Sequence, residues 1–291
     1  MRSFRILKVI KGPLVVTIAV LTGLALAAGP AAASTVSSHA PVLLYEYAFK
    51  GTTGTVNNSA PGGLVVPLTL SGTWKAVPDG VRFKGNKSGA QSVAFGRPAS
   101  GDTLNVPARN AVGFGTQIVY HAPGGSNCFG NTPNITQIGR FSAHTKSAQA
   151  KLQLSSCTTS QTNVMMECRF AGALTAANAP PVVSTLALIN DHTYSVRCVK
   201  SPDGTDSTAT ITLSVTDLNG TKGQRTVTNT FTVPALGSLR TRGYVTAGNQ
   251  FPLPPAAKNV NQFNGDMTKA VYCAGSPTAV TTCLAAQLPS R

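Results

Sequence analysis

Ile211, Leu213 and Val215 alternate with Thr210, Thr212, Ser214 and Thr216. A period of two gives an extended chain one apolar face for a core and one polar face for water. Tyr45, Tyr47 and Phe49 repeat the pattern with an aromatic face, and further strand-like runs cover residues 81–84, 90–95, 114–120, 135–141, 151–155 and 164–170. Others cover 194–200, 227–233, 244–247 and 261–272, and Pro67 interrupts one at 64–70. Turn pairs such as Asp79-Gly80, Asp203-Gly204 and Asn219-Gly220 separate them. No segment carries a helical stripe beyond a soft one at 171–179, which ends in Pro180-Pro181. About a dozen short strands in one chain imply a sandwich or a barrel. Composition agrees: charged residues are 11% of the chain, against about a quarter in ordinary domains, and Thr, Val and Gly favour strands and loops.

The N-terminus reads differently. Arg2, Arg5, Lys8 and Lys11 precede an uncharged apolar run at 14–28, and Ala31-Ala32-Ala33 before Ser34 supplies a small-x-small cleavage pattern. That order predicts a signal peptide at 1–33, too short in its apolar part for a bilayer span. The expected organisation is this leader, a polar linker at 34–42 and one domain at 43–291. A secreted, extracellular product follows, with no membrane span after cleavage. The first cysteine, Cys128, lies far from the cleavage site, so no lipid anchor is expected there.

Six cysteines in the exported part are an even set for an oxidising compartment. Fifteen pairings are open to them; the sequential one, Cys128–Cys157, Cys168–Cys198 and Cys273–Cys283, joins neighbouring strand-like runs and is preferred. Removing the four basic residues of the leader from 24 Lys and Arg leaves 20 against nine Asp and Glu, an excess of +11. These cations are scattered. Nucleic acid is not an expected partner, since neither a basic stripe nor a recognition motif is present. A solubilising coat accounts for such a surface, and so does attraction to an anionic polymer outside the cell.

The order of landmarks resembles the concanavalin A-like jelly roll, in particular its LamG-like (laminin G-like) branch of secreted bacterial proteins. An aromatic first strand, 45–49, precedes an Asn/Gly loop at 57–63. Trp74 and Gly80-Val81-Arg82-Phe83-Lys84-Gly85 follow, and Phe114–Tyr120 echoes the family's central strand. His192-Thr193-Tyr194-Ser195-Val196 and Phe263-Asn264-Gly265-Asp266 match its later motifs. Tyr194 stands where the family has Trp, and Thr268-Lys269 replace its usual acidic pair. The resemblance implies an all-β jelly-roll sandwich of two antiparallel sheets, disulfide-bonded, over most of residues 43–273.

Chemistry is harder to find. Hydrolases of this fold gather carboxylates as E-x-D-x-x-E, since hydrolysis needs an acid and a second carboxylate flanking one bond. Here Glu46 and Glu167 are the two glutamates, and neither has an acid within four positions. No G-x-S-x-G or H-E-x-x-H occurs, and the four histidines are dispersed. Relatives hold Ca²⁺ at loop rims through hard oxygen donors; Asp79, Asp102, Asn264 and Asp266 are the donors available for such a cofactor. Sugar binding, the family's usual task, would draw on Trp74, Tyr120, Tyr244 and Asn264, although a lone Trp more often fills a core. The sequence therefore points to a secreted, non-catalytic protein that binds an extracellular glycan or anionic cell-envelope polymer. A glycoside hydrolase with dispersed acids and a structural or protein-interaction module are the alternatives.

Overall fold

A computed structural model describes residues 42–62, 66–84, 92–97, 104–106, 110–122, 133–142, 147–155, 163–171, 181–202, 208–220, 223–232, 239–241, 245–249 and 262–289. The chain divides into two compact units, Met1–Ala32 and Ala33–Arg291; everything below concerns the second.

In chain order the strands are β1 (Val42–Ala48), β2 (Thr55–Val56), β3 (Leu68–Gly72), β4 (Trp74–Val77), β5 (Gly80–Phe83) and β6 (Ser92–Gly96). Next come β7 (Leu104–Val106), β8 (Ala111–Tyr120), β9 (Asn134–Ser142), β10 (Ser147–Leu154), β11 (Met165–Ala171) and β12 (Val182–Ala187). The last are β13 (Thr193–Pro202), β14 (Thr208–Asp217), β15 (Gln224–Thr232), β16 (Leu239–Thr241), β17 (Val245–Ala247) and β18 (Gly265–Gly275), followed by helix α1 (Pro277–Gln287).

Sixteen of them form a jelly-roll sandwich of two antiparallel sheets, and β7 and β16 pair with each other in a separate two-stranded sheet. The first runs β15-β14-β13-β8-β18-β5-β4, with β1 also on β18; the second runs β12-β11-β10-β9-β17-β6-β3-β2. Alternation places the aromatic faces between them. Tyr45, Tyr47, Phe83, Phe114, Tyr194 and Tyr272 are fully buried there, and the Tyr45 and Tyr272 rings meet edge-on at 5.8 Å. Buried hydroxyls must find partners: Tyr47 donates to Val66 O at 2.8 Å. The Tyr272 and Thr136 hydroxyls bond across the gap between the sheets.

Cys168 on β11 and Cys198 on β13 close a disulfide through the core, with Cα atoms 6.3 Å apart. Cys273 and Cys283 close a second between β18 and α1. Cross-links of these loop lengths stabilise by roughly 3 kcal/mol each. Cys128 and Cys157 lie outside the described residues.

Helix α1 corrects the expectation that no segment beyond 171–179 is helical. Ser276 caps it, its Oγ accepting from Ala279 N at 3.2 Å, and Pro277 suits the first turn, where its missing N–H costs nothing. Val280, Leu284 and Leu288 recur every four residues and bury against Ala111, Val271 and Cys273 on the outward face of the first sheet. A stripe one residue wide, among Ala and Thr, is too narrow to register as amphipathic. Gly113 and Gly115 permit the approach: a Cβ on them would strike Val280 and Leu284, or Leu288. Of residues 171–179, Ala171 ends β11 and the rest lie outside the described residues. The run at 64–70 is corrected in its start, since β3 begins at Leu68, directly after Pro67. The run at 261–272 is shifted to β18, since Phe263 and Asn264 precede the strand. Strands β2, β4, β7, β12 and β16 went unread in the sequence, each being too short, at two to six residues, for alternation to stand out.

Candidate functional site

The disulfide fixes which way β11 faces. Cys168 points to the first sheet, so Glu167 and Arg169 point away from it. The register then assembles a row across five strands. Phe95 on β6 pairs with Thr246 on β17, and Thr246 with Gln137 on β9. Gln137 pairs with Lys151 on β10, and Lys151 with Arg169 on β11. With strands about 4.8 Å apart the row is roughly 19 Å long. Gln153, opposite both Glu167 and Asn134, begins a second row beside it.

Outward faces of sheets are ordinarily wet. Here Gln137, Gln153, Glu167 and Thr246 are buried, and Asn134 with them. Glu167 Oε1 accepts from Gln153 Nε2 and from Arg169 Nη2 at 3.4 Å. Gln137 Nε2 donates to Gly139 O at 2.7 Å, and Asn134 Nδ2 to Asn249 O at 3.0 Å. Four polar atoms on this face have no hydrogen-bond partner in the protein: Asn134 Oδ1, Gln153 Oε1, Arg169 Nε and Thr246 Oγ1. Each such atom costs about 1–3 kcal/mol when buried, so four together make this a costly face for the fold to keep.

Electrostatics single out the same residues. Burial pushes Lys151 down from 10.5 to about 8, and the facing Arg169 adds to that while Glu167 opposes it. Burial raises Glu167 above the usual glutamate value, against the pull of Arg169, Gln153 and Lys151. Perturbed groups gathered in one place mark a candidate functional site. The face offers two cations, one carboxylate, three amides, a hydroxyl and, at its far end, the half-buried ring of Phe95. Lys151 and Arg169, only half-buried, are the members of the set that an anionic group can reach from solvent.

Of the residues singled out from the sequence, those the structure describes lie elsewhere, on or beside the first sheet. Trp74, Phe83, Gly265 and Tyr120 fall on one cross-strand row. Trp74 is half-buried against the core, and burial raises Tyr120 to about 12. Asn264 Nδ2 donates to His121 O at 3.2 Å. Asp266 accepts from Arg82 Nε at 2.6 Å and Nη2 at 2.9 Å, and His121 Nε2 stands 3.2 Å from its Oδ2 at ion-pair distance. Burial would raise Asp266, but the bonds from Arg82 and His121 outweigh it and leave it below the usual aspartate value. His121 Nδ1 meets Asp191 Oδ1 at 2.7 Å.

This rim cluster is therefore internally neutralised. Asp79 is exposed and pairs with Lys50 at 3.2 Å, so it and Asp266 serve different partners. Tyr244 and Asp102 lie outside the described residues. Among the described residues no group of three or more His, Cys, Asp or Glu is placed to hold a metal.

Lys151, Gln153, Glu167 and Arg169 were legible in one respect. Lys151-Leu152-Gln153 and Glu167-Cys168-Arg169 alternate polar with apolar, which puts each pair on one face. Nothing in the sequence sets the two pairs side by side.

No helix among the described residues is long and apolar enough to cross a membrane. No family model matches the sequence, and no curated protein matches it. Among solved structures the chain is similar to the CBM2 module of the evolved Dit of Lactobacillus casei BL23 phage J-1 (11% identity, 81% of this chain and 97% of that one, TM-score 0.45). It is also similar to the LG1-3 region of the laminin alpha2 chain (13%, 68% and 31%, 0.41). A third is basic winged bean lectin, solved with Tn-antigen (9%, 80% and 98%, 0.42).

Proposed function

We propose that the protein is an exported, non-catalytic binding protein for an acidic extracellular glycan, held along the row from Phe95 to Arg169. The observation that carries this is the pairing of Lys151 and Arg169 with four unpartnered buried polar atoms on one sheet face. The two half-buried cations suit a carboxylate or other acid group, and the half-buried Phe95 suits a sugar ring. Export rests on the basic-apolar-Ala leader and on the disulfides, which persist in oxidising compartments. Hydrolysis would need a second carboxylate flanking the bond, and among the described residues none shares this face with Glu167.

The test is retention of the purified protein on immobilised polygalacturonate and on dextran, from low salt to 1 M NaCl. Retention on the acidic matrix alone, weakening as salt rises, is expected. A Lys151→Met/Arg169→Gln variant should lose it. A Lys75→Gln/Lys84→Gln variant removes the same charge from exposed positions and should keep most of it. Equal losses in the two variants would reduce the positive charge to a solubilising coat. Firm binding to dextran through 1 M NaCl would replace the electrostatic account with a neutral-sugar site.

A further inference from the structure

We propose that Glu167 is a built-in counter-ion that stands in the ligand's place: it occupies Arg169 and Lys151 until an acid group of the ligand displaces it, and it takes up a proton as that happens. The inference rests on the reading of this face as an anion-binding surface and adds the residue that regulates it.

Arg169 is under-used as it stands. A guanidinium has five donors and prefers two parallel bonds to a carboxylate at about 2.7–2.9 Å. Toward Glu167 it makes one bond of 3.4 Å, and its Nε has no hydrogen-bond partner. An incoming carboxylate can give the guanidinium the fork that Glu167, two residues along the same strand, does not.

Seating that anion beside an ionised Glu167 would put two negative charges on a buried face. Among the described residues the charged groups acting on Glu167 are Arg169 from β11 and Lys151 from β10; β12 brings no titratable residue, the facing residues of β9, Asn134 and Gln137, are neutral, and β16, which packs on β10 and β9, carries Arg240. Two cations cannot hold two buried anions as well as one, so the weaker acid gives way. Glu167 is that acid, since burial already favours its neutral form.

Its proton also has somewhere to point. Gln153 Nε2 donates to Glu167 at present, while Gln153 Oε1 has no partner. A half-turn of that amide lets Oε1 accept the new Glu167 O–H, so neither group is stranded. The balance is one proton from solvent onto one carboxylate for each acid group bound.

The experiment is calorimetric titration with polygalacturonate between about pH 5.5 and 7, where the sugar carboxylates are ionised and Lys151 is charged. Wild-type affinity should fall with rising pH, by up to about tenfold per unit. Comparing buffers of different ionisation enthalpy should show uptake approaching one proton per bound acid group. Glu167→Gln, checked for folding by circular dichroism, should bind at least tenfold tighter at pH 7 and lose the pH slope. The wild-type proton uptake is a second readout that needs no variant. Wild-type binding with no proton uptake, or a Glu167→Gln protein with unchanged affinity and slope, overturns the counter-ion role while leaving the binding site standing. No binding by either protein overturns both.

Discussion

Replacing Lys151 by Met should change how stability depends on pH, in a direction the structure dictates. In the folded chain Lys151 is lowered from 10.5 to about 8, with burial as the main cause. A folded pKa below the unfolded one means that the unfolded chain binds more protons between those values. Stability therefore rises with pH across that window and is lost as pH falls back through the folded value. The whole shift is worth about 3 kcal/mol, and the part between pH 8 and about 9.5 roughly 2 kcal/mol. Above that window the buried tyrosines work the other way: Tyr47, Tyr120, Tyr194 and Tyr272 are all raised by burial, so their stabilisation is lost once the unfolded chain's tyrosines ionise. Met keeps the volume and the apolar stem and removes the proton, leaving the tyrosine contribution common to both proteins. Urea unfolding of wild type and Lys151→Met at half-unit steps isolates the lysine as a difference. The variant's advantage should be greatest at pH 7 and shrink by roughly 2 kcal/mol by about pH 9.5. A difference that stays flat to within about 0.5 kcal/mol would show that Lys151 is solvated and that the face is not the dry surface described above.

Glu167→Gln should gain on wild type as pH rises through the acidic range. Burial raises Glu167, so wild-type stability is full below the ordinary glutamate value and declines above it; parallel urea curves at pH 4 and pH 7 check the sign. Gly113→Val should push Val280 and Leu284 off the sheet and cost about 1–3 kcal/mol by overpacking, read as a lower melting temperature with α1 loosened in hydrogen exchange. Non-reducing peptide mapping should recover Cys168–Cys198 and Cys273–Cys283 as separate links, and serine replacement of the first pair should cost about 2–5 kcal/mol. Intact-mass analysis of exported protein should place its N-terminus at Ser34; a full-length, membrane-retained chain would contradict the leader reading.

Period-two alternation is a local property, because side chains of an extended chain must alternate whatever lies beside them. It was therefore enough to identify most strands from residues alone: Tyr45 and Tyr47 on the buried face of β1, and Ile211 to Val215 on that of β14. Turn chemistry supplied most of the boundaries, and Pro67 marked the start of β3. Helix α1 escaped because its single apolar stripe acquires meaning from two glycines on β8, more than 150 positions away. The polar face of the second sheet escaped for the same reason. Lys151, Glu167 and Arg169 are ordinary charged residues in the sequence, and their perturbation arises from burial and from one another, both set by the register of β10 on β11 and by what covers that face. Asp266, an oxygen donor on paper, is taken by Arg82, a strand partner 184 residues distant. Sequence by itself determines which residues face the same way along one strand; which strands lie side by side, and so which charges meet out of water, is decided when the sheets close.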